Sequence, residues 1–234
     1  MSLDKTDDRR QDGICVTRMS EAVIDGGFVD EIIALYIAIF NSKGEGEWGE
    51  QWTSDQVRKK LFEDVAAELG RSLVTTWRVG GALVGFSIVF IDPVATAVAI
   101  RDLPPGLQDG NVLAAVNRNL QWITGPDAII LHFREMGIRK EGRGGLAPVT
   151  RLLTDPGDVA YAGGATHHCY WTSRRSRLYP IVAAHDFHVV FVFGDTADNV
   201  LMSGDLGDAL RRLKLSTAQG GAILAERMCH LGLK

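Results

Sequence analysis

A chain of 234 residues with 46% hydrophobic and 23% charged composition suits one moderately large domain with a substantial core, and excludes a disordered or fibrous protein. Its formal charge of −4, with both signs dispersed, offers no global basic field to draw in nucleic acid. Cys15, Cys169 and Cys229 are widely separated and form no C-x-x-C pair, so no zinc or redox centre is expected, and the longest apolar stretch, around Ala82 to Ile91, is too short to span a bilayer.

Residues 1–12 are charged and read as a flexible N-terminus without the apolar core of a secretion signal, so a cytoplasmic location is the default. Ile14 to Arg18 reads as a strand, and Phe28, Ile32, Leu35 and Ile39 place an amphipathic helix over Phe28 to Phe40. The glycine-rich loop that follows mixes Glu45, Glu47 and Glu50 with Trp48 and Trp52. Exposed tryptophans are costly, so these two pack either on a neighbouring helix or around a substrate. Ser54 reads as the N-cap of a second helix running to about Leu69, with Val57, Leu61 and Val65 on one face and Gly70 as its stop. Ser72–Arg78 and Ala82–Ile91 are β-branched segments joined by Val-Gly-Gly, which predicts a hairpin.

Residues 92–126 form a long irregular connection with a short helix at Val112 to Ile123, read as a lid, a homodimer contact or a surface insertion. Strands are expected at Asp127–Phe133, Thr166–Trp171 and Phe187–Phe193, with a helix at Arg174–Ala184 and a break at Thr154-Asp-Pro-Gly. The expected organisation is one domain over 13–195, carrying the 92–126 insertion, and a C-terminal extension over 196–234 packed on the same domain.

Between Met136 and Leu153 the chain reads MGIRKEGRGGLAPVTRLL, a strand end running through Gly142, Gly144 and Gly145 into an apolar helical pattern with Pro148 in its first turn. Glycines at the mouth of a helix let backbone N–H groups approach an anion, and the helix dipole adds attraction, so the segment suits a pyrophosphate. It is neither G-x-G-x-x-G in a βαβ unit nor a P-loop, and the bland alternative is an ordinary flexible turn.

From Gly27 to Phe193 the chain resembles the GNAT superfamily of acyl-coenzyme A-dependent N-acyltransferases. Arg139-Lys-Glu-Gly142-Arg-Gly144 fits the family's Arg/Gln-x-x-Gly-x-Gly/Ala signature, and Arg143-Gly-Gly145-Leu-Ala147 offers a second register. Trp77-Arg-Val-Gly-Gly81-Ala-Leu-Val-Gly85-Phe86 is similar to the family's second and third strands, and Arg177-Leu178-Tyr179 followed by Phe187 to its fourth helix and sixth strand, with Pro180 a departure. The resemblance implies an α/β (α+β) fold: a mixed, mostly antiparallel sheet of about seven strands flanked by helices, with strands four and five splayed around the cofactor.

The resemblance further implies direct transfer of an acetyl or other acyl group from acetyl-CoA or another acyl-CoA to the amine of a small molecule or peptide. Met136, Gly137, Ile138, Arg139, Gly142, Arg143, Gly144, Gly145, Leu146 and Ala147 are the expected cofactor-binding residues. Glu135 at the end of strand four is the expected base, with His132 the alternative because its ordinary pKa suits proton transfer near neutrality. Their spacing puts them on opposite faces of an uninterrupted strand. Tyr179 is the expected acid for the sulfur leaving group, and Glu47, Trp48, Trp52 and His168 are the expected substrate-side residues. No metal is expected: adjacent residues of His167-His168-Cys169 alternate faces on a strand, and a Cys-His nucleophile lacks an evident partner. The non-enzymatic alternative is an acyl-CoA-binding sensor or interaction module.

Overall fold

The Val-Gly-Gly turn forms because Gly80 (φ 58°) and Gly81 (φ 75°) adopt the left-handed conformation that a two-residue hairpin requires. Asp12 caps it, its carboxylate accepting the Gly80 and Gly81 N–H groups at 2.9 and 2.7 Å. In the computed structural model, which describes residues 12–41, 51–91, 110–140, 146–174, 179, 188–193 and 198–215, this hairpin forms two neighbouring strands of the sheet. Its strands are β2 (Ser72–Val79) and β3 (Ala82–Ile91), with β1 (Gly13–Arg18) antiparallel to β2. The others are β4 (Ile130–Ile138), β5 (His167–Ser173), β6 (His188–Phe193) and β7 (Asn199–Asp205). The seven strands lie in the order β1-β2-β3-β4-β5-β7-β6, and every neighbouring pair is antiparallel except β4 and β5. This is the expected mixed, mostly antiparallel sheet flanked by helices.

Helices cover both faces. After the short α1 (Met19–Ala22), helix α2 (Gly26–Phe40) starts at Asp25, whose side chain accepts from Gly27 N and Phe28 N. It buries Ile32, Leu35 and Tyr36 against Phe86, Ile88 and Phe90 of β3. The helix α3 (Ser54–Arg58) is capped by Thr53, one residue before the expected Ser54, in a capping box with Gln56. It passes into a π-helical turn at Lys59–Glu63 and a 3-10 turn at Ala66–Arg71, so the expected continuous helix is broken, although Val57, Leu61 and Val65 are buried together. The helix of the 92–126 connection, α4 (Gly110–Thr124), lies on the same face as α2 and packs Val116 and Leu120 on Ile130, Cys169 and Leu201.

On the opposite face lie α5 (Leu146–Ala162) and α6 (206–215), which close over Leu73, Val89 and Leu131. The expected break at Thr154-Asp-Pro-Gly does not occur. Pro156 has no N–H for the Leu152 carbonyl one turn back, and the buried Ser87 hydroxyl of β3 donates to that carbonyl at 2.7 Å instead. A tertiary hydrogen bond therefore replaces the helical one. Gly157 next to it admits Leu210 of α6, whose Cδ2 lies 2.7 Å from where a Cβ would stand. The segment from 198 supplies β7, for which the sequence pattern marks no strand, and α6 to the same sheet and core.

Candidate functional site

Parallel pairing of β4 with β5 runs only from Ile130↔His167 to Phe133↔Tyr170. Beyond it β4 continues to Ile138 along β3, and β5 continues to Ser173 along β7, so the two strands separate towards their C-terminal ends. At the point of separation β4 carries a bulge: Val89 faces Phe133 and Ile88 faces Glu135, leaving Arg134 as the extra residue. The bulge overturns the expectation that His132 and Glu135 occupy opposite faces. Phe90 pairs with His132 and Ile88 with Glu135, and Phe90 and Ile88 share a face, so both β4 side chains turn towards α2.

Glu135 meets Lys60 of the π-helical turn, Nζ to Oε1 2.6 Å, with the two side chains 12% and 27% exposed. Lys60 also donates to the Tyr36 hydroxyl at 3.1 Å and lies 4.7 Å from the centre of the Trp52 ring. Burial works against its charge, but Glu135 and Tyr36 outweigh that cost and hold the Lys60 ammonium above its ordinary range. Arg134 donates from Nη1 to the Lys60 carbonyl at 2.9 Å. The β-bulge and the π turn thus hold each other, one through a carbonyl and one through an ammonium. Trp52 is fixed in turn by Asn41, whose side chain donates to Trp52 O at 2.7 Å and accepts from Trp52 N at 2.8 Å. Of the expected substrate-side residues, Trp52 is therefore brought to Lys60, the partner of Glu135, while Glu47 and Trp48 lie outside the described residues.

His132 is fully buried, its Nδ1 3.2 Å from the Cys169 carbonyl and 3.6 Å from Cys169 Sγ. A carbonyl only accepts, so Nδ1 carries the proton in that bond. His168 turns to the face opposite Glu135, stacked at 6.1 Å on Tyr170 and edge-on to Phe133 at 6.2 Å. Burial first, and then His167, bring its pKa down to about 3. Tyr179 packs against the cluster of Tyr170, Val200 and Met202, also on the face opposite Glu135. Burial, reinforced by Tyr179, pushes the Tyr170 hydroxyl above its ordinary range.

Met136, Gly137 and Ile138 pair with Ser87, Phe86 and Gly85 of β3, and Arg139 N donates to Val84 O at 2.8 Å. A Cβ on Gly137 would stand 2.8 Å from Ile39 Cδ1, so a side chain here would have to displace the end of Ile39. Among the described residues Arg139 Nε is buried without a hydrogen-bond partner. Gly142, Arg143, Gly144 and Gly145 lie outside the described residues, while Leu146 and Ala147 open α5. Tyr36 and Lys60 carry no sequence signal of a role: the first sits in an apolar helix pattern and the second in a Lys-Lys pair typical of a solvated face. Among the described residues no group of His, Cys, Asp and Glu is placed to hold a metal ion, and no helix is long and apolar enough to cross a membrane.

No protein-family model and no curated protein sequence matches this chain. Solved structures do. A coenzyme A-dependent acyl-homoserine lactone synthase, BjaI, with SAM and isopentyl-CoA, superposes with a TM-score of 0.56 at 11% identity, over 87% of this chain and 88% of that one. The PaiA N-acetyltransferase from Thermoplasma acidophilum, in complex with coenzyme A, gives a TM-score of 0.50 at 12% identity over 82% of this chain and 98% of that one. An N-acetyltransferase from Staphylococcus aureus Mu50 gives the same values. The chain has the fold of the GNAT acetyltransferases.

Proposed function

We propose that this protein transfers an acyl group from acyl-coenzyme A to an amine of a small molecule or peptide. The observation that carries the reading is the end of β4–β5 pairing at Phe133 and Tyr170, immediately before a bulge that presents Glu135. An opened pair of parallel strands leaves β4 backbone groups for a pantetheine arm, and unpaired backbone polar groups need a partner. The segment after β4 suits the pyrophosphate: Arg139 holds a buried Nε with no described partner, and the first turn of α5 presents N–H groups that have no acceptor within the helix. Coenzyme A in the PaiA complex and isopentyl-CoA in the BjaI complex, both in this fold, support the same class of ligand.

In this reading Glu135, paired with Lys60, assists deprotonation of the acceptor ammonium directly or through water. His132 is the alternative base, although its Nδ1 is already engaged by the Cys169 carbonyl. Tyr179 protonates the departing thiolate from across the sheet. The gap between the strands separates the two tasks.

Calorimetry with acetyl-, butyryl- and octanoyl-CoA, followed by an amine screen, tests this reading and separates an enzyme from a sensor. Gly144→Val and Gly145→Val should each weaken binding by blocking backbone approach, and undiminished binding by both folded variants would remove the pyrophosphate from this segment. In an active enzyme Glu135→Gln should lose turnover near neutrality and partly recover at high pH, where solvent supplies free amine, and Tyr179→Phe should depress kcat more than cofactor binding.

A further inference from the structure

Lys60 has the wrong sign for a simple amine acceptor. An ammonium approaching Glu135 meets a second ammonium already 2.6 Å from the same carboxylate, and like charges at this range repel. Nor is Lys60 easily displaced. Glu135 and Tyr36 take two of its three N–H donors, the Trp52 ring lies 4.7 Å away, and Arg134 pins its carbonyl at 2.9 Å. Yet the pair is not sealed, since its side chains are 12% and 27% exposed, and Glu135 lies on the part of β4 that β5 has left.

An acceptor that brings its own carboxylate resolves the conflict. Its amine faces Glu135 while its carboxylate takes the remaining Lys60 donor, so the four charges alternate in sign and the local balance stays neutral. We propose that the acceptor is an α-amino acid, or a molecule that ends in one, recognised as a zwitterion by the Lys60–Glu135 pair, with Trp52 as the apolar wall beside it. This rests on the acyl-transfer reading and narrows its substrate class. In the reaction the ammonium gives up one proton to Glu135 or water, and the nitrogen forms a bond to the thioester carbonyl carbon. The C–S bond then breaks with its electron pair on sulfur, the nitrogen gives up its second proton, and the thiolate takes one proton up. The products are the N-acyl amino acid, coenzyme A thiol and one net proton.

The test compares kcat/KM for phenylalanine, leucine and glutamate with that for their decarboxylated amines, using acetyl-, butyryl- and octanoyl-CoA and the full chain. The amino acids should be preferred by about 10- to 100-fold, the worth of one charge-assisted hydrogen bond. Lys60→Met should erase that preference, chiefly through KM, and Lys60→Arg should keep most of it. Thermal melts identify which variants fold, and if Lys60→Met does not, retention of the preference by Lys60→Arg together with its loss in a folded Lys60→Gln carries the same information. Equal or better turnover of the decarboxylated amines, or a preference unchanged without the Lys60 charge, overturns the zwitterion proposal and leaves acyl transfer standing. Absence of both acyl-CoA binding and turnover overturns the parent reading as well.

Discussion

The imidazole of His168, 3% exposed between Phe133 and Tyr170, is neutral at physiological pH because its pKa is brought down to about 3. In the unfolded chain the same group takes up a proton near its ordinary 6.5. Between those values the unfolded state binds more protons than the folded one, so stability falls as the pH drops through this window, by about 1.4 kcal/mol per unit. His168→Phe, which keeps a ring in the cluster, should flatten the acid side of the stability profile. Denaturant melts from about pH 7 to about pH 5 provide the measurement, and equal acid losses in both proteins would show that another group controls it. The same burial that makes His168 a pH liability leaves it no charge with which to bind a substrate at neutral pH.

At the scale of elements, α5 depends on a strand to remain one helix. Pro156 removes the N–H owed to the Leu152 carbonyl, and Ser87 of β3 supplies the replacement donor at 2.7 Å. Ser87→Ala should therefore cost about 1–3 kcal/mol by leaving a buried carbonyl unsatisfied. In a Pro156→Ala background the helix regains its own donor, and the Ser87→Ala cost should shrink. A double-mutant cycle by chemical denaturation reads the difference, and additive effects would disprove the exchange of donors. The π turn at Lys59–Glu63 and the bulge at Arg134 are a second pair of mutually dependent irregularities, and both kinds of irregularity recur beside functional sites.

For the whole molecule, the separation of β4 from β5 divides one continuous strand into a half paired on both edges and a half that the acyl-transfer proposal assigns to the ligand. Ile130–Phe133 is held on both sides, by β3 and β5, whereas beyond Phe133 the β5 side has no paired strand among the described residues. Amide exchange should therefore be faster over 134–138 than over 130–133 in the free protein, and acyl-CoA should slow the former with little effect on the latter. Hydrogen exchange with and without octanoyl-CoA tests this. Protection confined to other segments would place the ligand elsewhere.

Local signals were enough for elements whose chemistry is local. The Gly80-Gly81 hairpin, the apolar spacing of α2 and the β-branched runs of β2 and β3 are set by backbone freedom and side-chain period, which the sequence displays. The motif resemblance added the class of fold and the direction in which to look for a ligand, because glycine order along the chain survives without knowledge of distant partners. By contrast, the helix through Pro156 required Ser87, 65 positions from the Leu152 carbonyl it bonds, and no local pattern announces such a donor. The bulge that turns Glu135 to the face of His132 is a mismatch between two strands, a property of the pair that neither strand carries alone. Lys60 became part of the site only when α3, its π turn and β4 were packed together, because an ion pair is defined by distance and burial, while the sequence shows only one lysine among twenty-five basic residues.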